Sequence, residues 1–174
     1  AACDTKLDII SQHMYLSTIE SGKKIEGADV RGTISEYLIP DLRSMVGQAN
    51  GRPVVWGEIG TFAFYEKKDG HSLKNYLSNI FAAEAAIEGF NNGLSGYGLW
   101  VWNNYQQNYY TMLAYDGSKP RRITPDKENF YPRALIMSAF PKGTDILSSE
   151  VTGCEKGYRH VWACAGKKPD GKIS

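Results

Sequence analysis

The feature that most constrains this chain is a buried strand that runs into one charged residue. Residues 53–62 read PVVWGEIGTF, so an apolar run meets Glu58 between glycines at positions 57 and 60. Apolar runs of this kind are typical of strands that are buried on both faces of a parallel sheet. We therefore predict that the strand ends by placing the Glu58 carboxylate at the carboxyl-end rim of the sheet.

Two more strands of similar character lie before and after this one. Residues 7–11 are a short apolar run that leads into residues 12–15, where His13 and Tyr15 lie on one side because side chains alternate along a strand. Residues 97–102 are predicted to form the third strand. Helical patterns separate the three strands, and this order predicts right-handed crossovers and a parallel sheet.

The two predicted helices differ in how they begin. Residues 33–46 open with a capping-box pattern, but Pro40 follows so closely that the helix must kink there or restart with Pro40 in its first turn. Residues 72–91 begin at a serine cap, carry one apolar stripe and end at an Asn-Asn-Gly stop. The charged, glycine-rich residues 21–32 predict a loop.

The alternation of strand and helix stops after the third strand. Residues 106–130 are predicted to be a long loop, and loops of that length are more often functional than filler. A short helix is predicted from Pro132 onward, followed by a break. The pattern then changes to a period of two, so residues 145–151 and 158–164 predict a hairpin, with a turn at 169–172 and no strand after it.

Charge and composition exclude some functions. The 20 basic and 19 acidic residues nearly cancel, and without a basic stripe we expect no nucleic acid partner. The chain has no run of about 18 apolar residues, so no membrane span is predicted. The 4 Trp and 11 Tyr suit a surface that packs on flat apolar ligand faces, such as those of sugars.

The spacing of the cysteines predicts neither a metal site nor a cofactor. The 3 cysteines, Cys3, Cys154 and Cys164, have no C-x-x-C or Cys/His zinc spacing. Cys154 and Cys164 could meet across the predicted hairpin. We therefore expect no metal, no cofactor and no disulfide framework.

Polar and aromatic side chains follow all three predicted strands at the same end. His13 and Tyr15 mark the first strand, Glu58 the second, and Trp102 and Asn103 the third. Active sites of parallel α/β folds lie at the carboxyl ends of the strands. These five residues are therefore predicted to converge on one pocket.

The order of these strand ends resembles strands six, seven and eight of the retaining glycoside hydrolases of clan A. The motifs are His-x-Tyr at 13–15, Trp-Gly-Glu at 56–58 and Trp-Val-Trp-Asn at 100–103. Residues 140–147, FPKGTDIL, are similar to the barrel-to-sandwich junction of the glucosylceramidase and xylanase-like family thirty. The resemblance covers nearly the whole chain, and families five and thirty-nine have similar strand ends.

The resemblance implies an α/β fold made of two parts. Residues 1–140 would be the carboxyl-terminal portion, the last three units, of a (β/α)8 TIM barrel, and residues 141–174 the beginning of a β-sandwich domain. A complete barrel needs on the order of 200 to 250 residues, so the remainder of the barrel is an expected partner. Without it we expect an exposed sheet edge, low stability and no activity. The family also implies an extracellular or periplasmic location.

The implied activity is retaining hydrolysis of O-glycosidic bonds in a poly- or oligosaccharide. Glu58 would be the nucleophile, and His13 or Tyr15 would hold it ionised and aim it. Trp102 would form the floor against which the sugar packs, and Asn103 would bind a hydroxyl. The acid/base of this clan comes from an Asn-Glu pair that ends strand four. No glutamate of this chain follows Asn at a predicted strand end.

Simpler interpretations stay open for each residue. Glu58 could be a salt-bridged structural carboxylate, and His13 a histidine of the core. Trp56 is more typical of packing, and Trp162 of the hairpin core. The alternative function is a non-catalytic carbohydrate-binding or scaffold protein that keeps the aromatic rim without an acid/base.

Overall fold

The computed structural model describes residues 7–16, 19–20, 23–24, 34–61, 73–99, 113–115, 123–125, 127–152 and 161–174. The fold is mixed α/β, as predicted. Its described strands are β1 (Ile10–Leu16), β2 (Ile19–Glu20), β3 (Lys23–Lys24), β4 (Val54–Thr61), β5 (Leu94–Leu99), β6 (Leu113–Tyr115), β7 (Ile123–Pro125), β8 (Asp145–Leu147) and β9 (Ala165–Lys167). The described helices are α1 (Ile39–Gln48), preceded by a π-helical turn (Ile34–Leu38), α2 (Leu73–Asn91) and α3 (Lys127–Ala139).

A three-stranded parallel sheet organises the first part of the chain. Its order is β1-β4-β5, and both ladders are parallel, which confirms the predicted strand-helix-strand arrangement. Parallel neighbours need a crossover between them, and α1 and α2 supply the helices for the two crossovers. The strand that carries Glu58 is therefore the central strand of the described sheet.

The core lies between this sheet and the helices. Val54, Trp56 and Ile59 of β4 are at most 2% exposed, and they pack in one cluster with side chains from the π-helical turn, α1 and α2. The helical members of the cluster are Ile34, Leu38, Ile39, Leu42, Phe81 and Ala85. The predicted packing role of Trp56 is confirmed, because its side chain is fully buried.

The other face of the sheet is open in the part of the chain that the structure describes. Ser11 and His13 of β1 and Gly57 of β4 are exposed, whereas Met14, which alternates with His13, is buried. The prediction that these strands are buried on both faces is therefore wrong for β1, because the described helices cover one face only. Ile9, in the predicted apolar run, is 54% exposed and precedes the strand.

Helix α1 begins where Pro40 allows it to begin. The α-helix starts at Ile39, so Pro40 lies in its first turn, and the preceding turn has π-helical geometry. Leu38, the residue before α1, already has helical dihedral angles (φ −62°, ψ −44°), so the π-helical turn and α1 form one continuous helical run. The α-helical part starts next to Pro40, but without the break that a restart implies, and α2 ends at Asn91 as its Asn-Asn-Gly stop predicts.

The prediction of one long loop over residues 106–130 is wrong where the structure describes it. Strands β6 and β7 form an antiparallel pair within that range, and α3 begins at Lys127 instead of at Pro132. Pro132 lies inside α3. A proline inside a helix costs one backbone hydrogen bond, and for this reason the sequence predicted that the helix starts at Pro132.

The carboxyl-terminal hairpin forms, but with a different second strand from the one predicted. Strand β8 pairs with β9, so Asp145 lies opposite Lys167, whereas 161–164, part of the predicted strand 158–164, is not a strand. The turn at 169–172 returns the chain, and Ile173 forms a bridge with Lys167. No strand follows this turn, as predicted, and the bridge is an isolated one. Trp162, predicted in the hairpin core, lies in the non-strand segment and is partly buried.

Hydrogen bonds join the end of α2 to the segment before β9. Asn91 Nδ2 donates to the Ala163 carbonyl oxygen at 2.8 Å, and Ser149 Oγ donates to the same oxygen at 3.1 Å. The neighbouring Cys164 is a free thiol, and burial, together with the carboxylate of Glu88, raises its pKa. Cys154 lies outside the described residues. The contact fixes the carboxyl-terminal segment on the helical layer.

Candidate functional site

A β-bulge in β4 decides which way Glu58 points. In the ladder with β1, Gln12 lies opposite Trp56 but His13 lies opposite Glu58, so Gly57 has no partner in β1. Strict alternation would place Glu58 on the helix-covered face, two residues after the buried Trp56. The extra residue shifts the alternation by one position, so Ile59 is the next buried side chain and Glu58 faces the other side. The bulge therefore turns Glu58 away from the core.

Two glycines make room for the bulge. A Cβ atom on Gly98 of β5 would overlap the carbonyl oxygen of Gly57, so β5 can approach β4 at this point only with glycine at position 98. A Cβ on Gly57 would lie 2.5 Å from Ser11 Oγ and 3.4 Å from His13 Cδ2. Gly57 thus borders Ser11 and His13 on the open face, and glycine in a strand often marks such a bulge.

The bulge brings the Glu58 carboxylate to the imidazole of His13. Glu58 Oε2 lies 3.4 Å from His13 Nδ1, which is ion-pair distance when the imidazole is protonated and longer than a good hydrogen bond. The Glu58 side chain is 23% exposed and that of His13 is 61% exposed. The carboxylate is therefore half enclosed by the strands, open to a solute on one side, and has a donor beside it.

The five predicted site residues are only partly accounted for. His13 and Glu58 are together, as predicted. The backbone of Tyr15 lies in β1 opposite Gly60, but its side chain lies outside what the structure describes. Trp102 and Asn103 also lie outside the described residues, so their convergence stays a prediction.

Glu58 and His13 do not end their strands, which corrects the predicted rim position. After the bulge, the ladder resumes with Met14 opposite Ile59 and continues to Leu16 opposite Thr61. Backbone pairing continues because the bulge adds a residue without removing the hydrogen bonds that follow it. The His13–Glu58 pair therefore lies on the open face, three residues before the end of β4.

Sequence reasoning missed the bulge and its consequence. An isolated glycine inside a strand pattern predicts a bulge or a close backbone approach, and both Gly57 and Gly98 provided that sign. Ser11 was also missed, although the two-residue period places it on the side of His13. The prediction of Glu58 at the strand end named no face of the sheet.

Other acidic side chains lie elsewhere in the described fold. Glu36 is on the π-helical turn, and Glu84 and Glu88 are on α2, so these three belong to the helical layer across the sheet from His13. Glu150 is in an exposed segment after β8. Among the residues with described positions, no group of three or more His, Cys, Asp or Glu side chains could hold a metal ion. No described helix combines the length and apolar character that crossing a membrane requires.

Comparisons with known proteins found no relative of this chain. No protein-family model matches the chain, and neither the curated proteins nor the solved structures contain a match. The mixed α/β fold and the His13–Glu58 pair are therefore the basis for inferring a function.

Proposed function

We propose that the chain is the carboxyl-terminal part of a retaining glycoside hydrolase, in which Glu58 is the nucleophile. The observation that carries this proposal is the bulge that turns Glu58 from the helix-covered face to the open face, beside His13. A carboxylate used only for packing or surface charge needs no such device. Bulges are over-represented beside active sites, where they re-aim one side chain.

The arrangement of the sheet supports a barrel as the complete fold. Consecutive strands of a (β/α)8 barrel lie side by side, with helices outside and the remaining face turned inward. The three strands β1, β4 and β5 are neighbours in that order, and the described helices cover one face only. In this proposal the open face lines the barrel interior, and the β8–β9 pair begins the β-sandwich.

The proposed chemistry has two displacements at one carbon atom. A carboxylate oxygen of Glu58 attacks the anomeric carbon, the bond to the leaving oxygen breaks, and that oxygen takes a proton from the general acid. The resulting glycosyl ester is then attacked by water, which gives its proton to the same acid/base, and Glu58 leaves as a carboxylate. His13 aims Glu58 by donating from Nδ1 towards the oxygen that lies 3.4 Å away.

The remaining roles come from the resemblance. Tyr15 would also hold Glu58, Trp102 would pack against the sugar ring, and Asn103 would bind a hydroxyl. The acid/base would come from chain outside these 174 residues and lie about 5 to 5.5 Å from Glu58, the separation that retention requires. Specificity for a particular sugar depends on loops.

Mechanism-based labelling tests the proposal on the full-length protein. A 2-fluoro glycoside traps the glycosyl ester, and we expect peptide mass spectrometry to find the label on Glu58. Glu58→Gln should abolish labelling, whereas Glu36→Gln, on the exposed part of the π-helical turn, should leave it intact. A label on a different carboxylate would remove Glu58 from the nucleophile role.

A second candidate is a non-catalytic carbohydrate-binding protein. The contact that favours it is the His13–Glu58 pair itself, because an ion pair at this distance also stabilises a structure without any catalysis. In that case Glu58→Gln would leave carbohydrate binding intact, and the full-length sequence would contain no strand that ends in Asn-Glu. A labelled Glu58 excludes this candidate.

A further inference from the structure

A cavity lies away from the His13–Glu58 pair. It is a cleft of about 670 Å³ between the end of α2, the start of β5, the end of α3 and the segment that leads into β8. Tyr97, in its lining, pairs with Trp56, two residues before Glu58. The Tyr97 side chain packs against the core and contacts Phe90 of α2, whereas Glu58 lies on the open face beside His13. The cleft and the His13–Glu58 pair therefore lie on opposite faces of the sheet.

The inner wall of this cleft is aromatic. The rings of Phe90 and Tyr97 have centroids 5.9 Å apart, and those of Phe90 and Phe140 are 5.4 Å apart, with interplanar angles of 52° and 49°. Ile136 and Met137 of α3 line the same space. Tilted rings at these distances form a continuous apolar surface, and such a surface favours a flat apolar ligand face.

The rim of the cleft carries one lysine and one aspartate. Lys142 lines the cleft, is exposed, and has no ion-pair partner within the described ranges. Asp145 lines it too and lies opposite Lys167 in the β8–β9 ladder, without an ion pair between these two side chains. Asp170 is paired with Lys172 at 2.9 Å. An anionic group at the rim would therefore meet Lys142 without displacing another acid.

We propose that this cleft is a binding site for a small anionic molecule that contains an aromatic ring. The ring would lie against Phe90, Tyr97 and Phe140, and the anionic group would pair with Lys142. The volume falls within the range of about 300 to 1,000 Å³ that is usual for small-molecule sites, and an apolar lining with few polar groups is their usual composition.

The state of Tyr97 is compatible with an anion nearby. Burial raises the pKa of its hydroxyl to about 12, an effect that the charge of Arg133 partly offsets. The hydroxyl is therefore neutral at physiological pH. The cleft presents a donor instead of a phenolate at this position.

Binding of 2-naphthoate to the full-length protein tests the proposal. Titration calorimetry should show saturable binding, and Lys142→Gln should weaken it about threefold to fivefold, the effect of one exposed charge pair. The control is Gln48→Glu, an exposed change on α1 that alters the net charge by the same amount. It should bind as the wild type does. Neutral 2-naphthalenemethanol should bind more weakly and be insensitive to Lys142→Gln.

A filling substitution gives an independent answer. Ser95 lines the cleft and is exposed, so Ser95→Trp should occupy the space and abolish binding of both compounds without disturbing the core. Near-ultraviolet circular dichroism checks that the variant is folded. Labelling of Glu58 by the 2-fluoro glycoside should be unchanged in this variant. Binding that survives Ser95→Trp, or no saturable binding of 2-naphthoate to the wild type, would overturn the proposal.

Discussion

At the scale of single residues, the direction of Glu58 depends on glycines rather than on Glu58 itself. Gly57 adds the extra residue to β4, and Gly98 gives its carbonyl group room. The polar character of Glu58 alone would not decide its face, because backbone pairing fixes the alternation of side chains in each strand.

Gly98→Ala should destabilise the fold by about 1 to 3 kcal/mol, the usual cost of overpacking. The added methyl group would overlap the backbone oxygen of Gly57, which cannot move without disturbing the bulge. Urea unfolding measures the change. Gly96→Ala in the same strand is the matched control, since its Cβ would be 3.7 Å from Val55 Cγ1, an ordinary contact. Equal losses in the two variants would contradict the close approach at Gly98.

His13→Gln should reduce kcat/KM of the full-length enzyme by about 10- to 100-fold if His13 aims the nucleophile, because small displacements of a reacting group cost rates of this order. Its side chain is 61% exposed, so stability should change little. The control is Gln12→Ala, an exposed neighbour in β1 whose side chain alternates to the opposite side. A similar loss of activity in both variants would assign His13 no special role.

At the scale of helices and strands, the sequence predicted the order of elements better than their limits. The hydrophobic periodicity predicted the strands, the helices and the parallel pairing. The position of Pro40 predicted where the α-helical part of α1 starts. The limits of α3 and the partner of β8 were wrong because they depend on contacts between distant segments. A three-residue strand such as β9 has too few residues to give a period. The bulge had local signs, but its effect on Glu58 needs the register with β1.

Replacing a glycine with alanine should have opposite effects on stability in α1 and α2. A Cβ on Gly89 would lie 2.7 Å from Leu94 Cδ2 and 3.0 Å from Trp56 Cζ3, both buried, so Gly89→Ala should cost about 1 to 2 kcal/mol net. Gly47 of α1 has nothing within 4 Å, and Gly47→Ala should stabilise by about 0.5 to 1 kcal/mol through helix propensity. Thermal unfolding of both variants tests the contrast, and two shifts of the same sign would refute it.

The end of α2 gives the fold a dependence on pH. Burial raises the pKa of Glu88 above 4.5, although Asn91 and Arg43 partly offset this. The folded state then holds the proton more tightly than the unfolded state, so this contribution to stability is present below pH 4.5 and is lost as pH rises through the raised pKa. Glu88→Gln should remove that loss and be at least as stable as the wild type at pH 7.

Urea unfolding at several pH values between 4 and 7 measures this effect. The difference in unfolding free energy between Glu88→Gln and the wild type should grow as pH rises. Glu150→Gln, in an exposed segment, controls for the loss of one carboxylate. A difference that does not vary with pH would show that burial of Glu88 has no role.

At the scale of the whole molecule, the described part has surfaces that a stable domain normally covers. Ser11 and His13 lie on an uncovered sheet face, and on α3 Leu135 is 69% exposed and Tyr131, four residues earlier, is 53% exposed. Residues four apart share one side of a helix, so the two form an apolar stripe. If the barrel proposal holds, the rest of the barrel covers both surfaces.

Residues 1–174 expressed alone should therefore self-associate and bind a hydrophobic dye, whereas the full-length protein should do neither. Size-exclusion chromatography and 8-anilinonaphthalene-1-sulfonate fluorescence compare the two. Replacing Leu135 and Tyr131 with Gln and Lys should reduce self-association of the short polypeptide. A monomeric short polypeptide with a cooperative unfolding transition would argue against the barrel proposal.

The bulge at Gly57 also has a genetic consequence. Loss of the single codon for Gly57 would remove the extra residue and leave β4 free to pair in the ordinary way, with Trp56 opposite Gln12 and Glu58 still opposite His13. Regular alternation would then keep Glu58 on the open face and Ile59 in the core. Loss of one codon inside a regular strand exchanges the inside and the outside of everything that follows, whereas loss of this one leaves them unchanged.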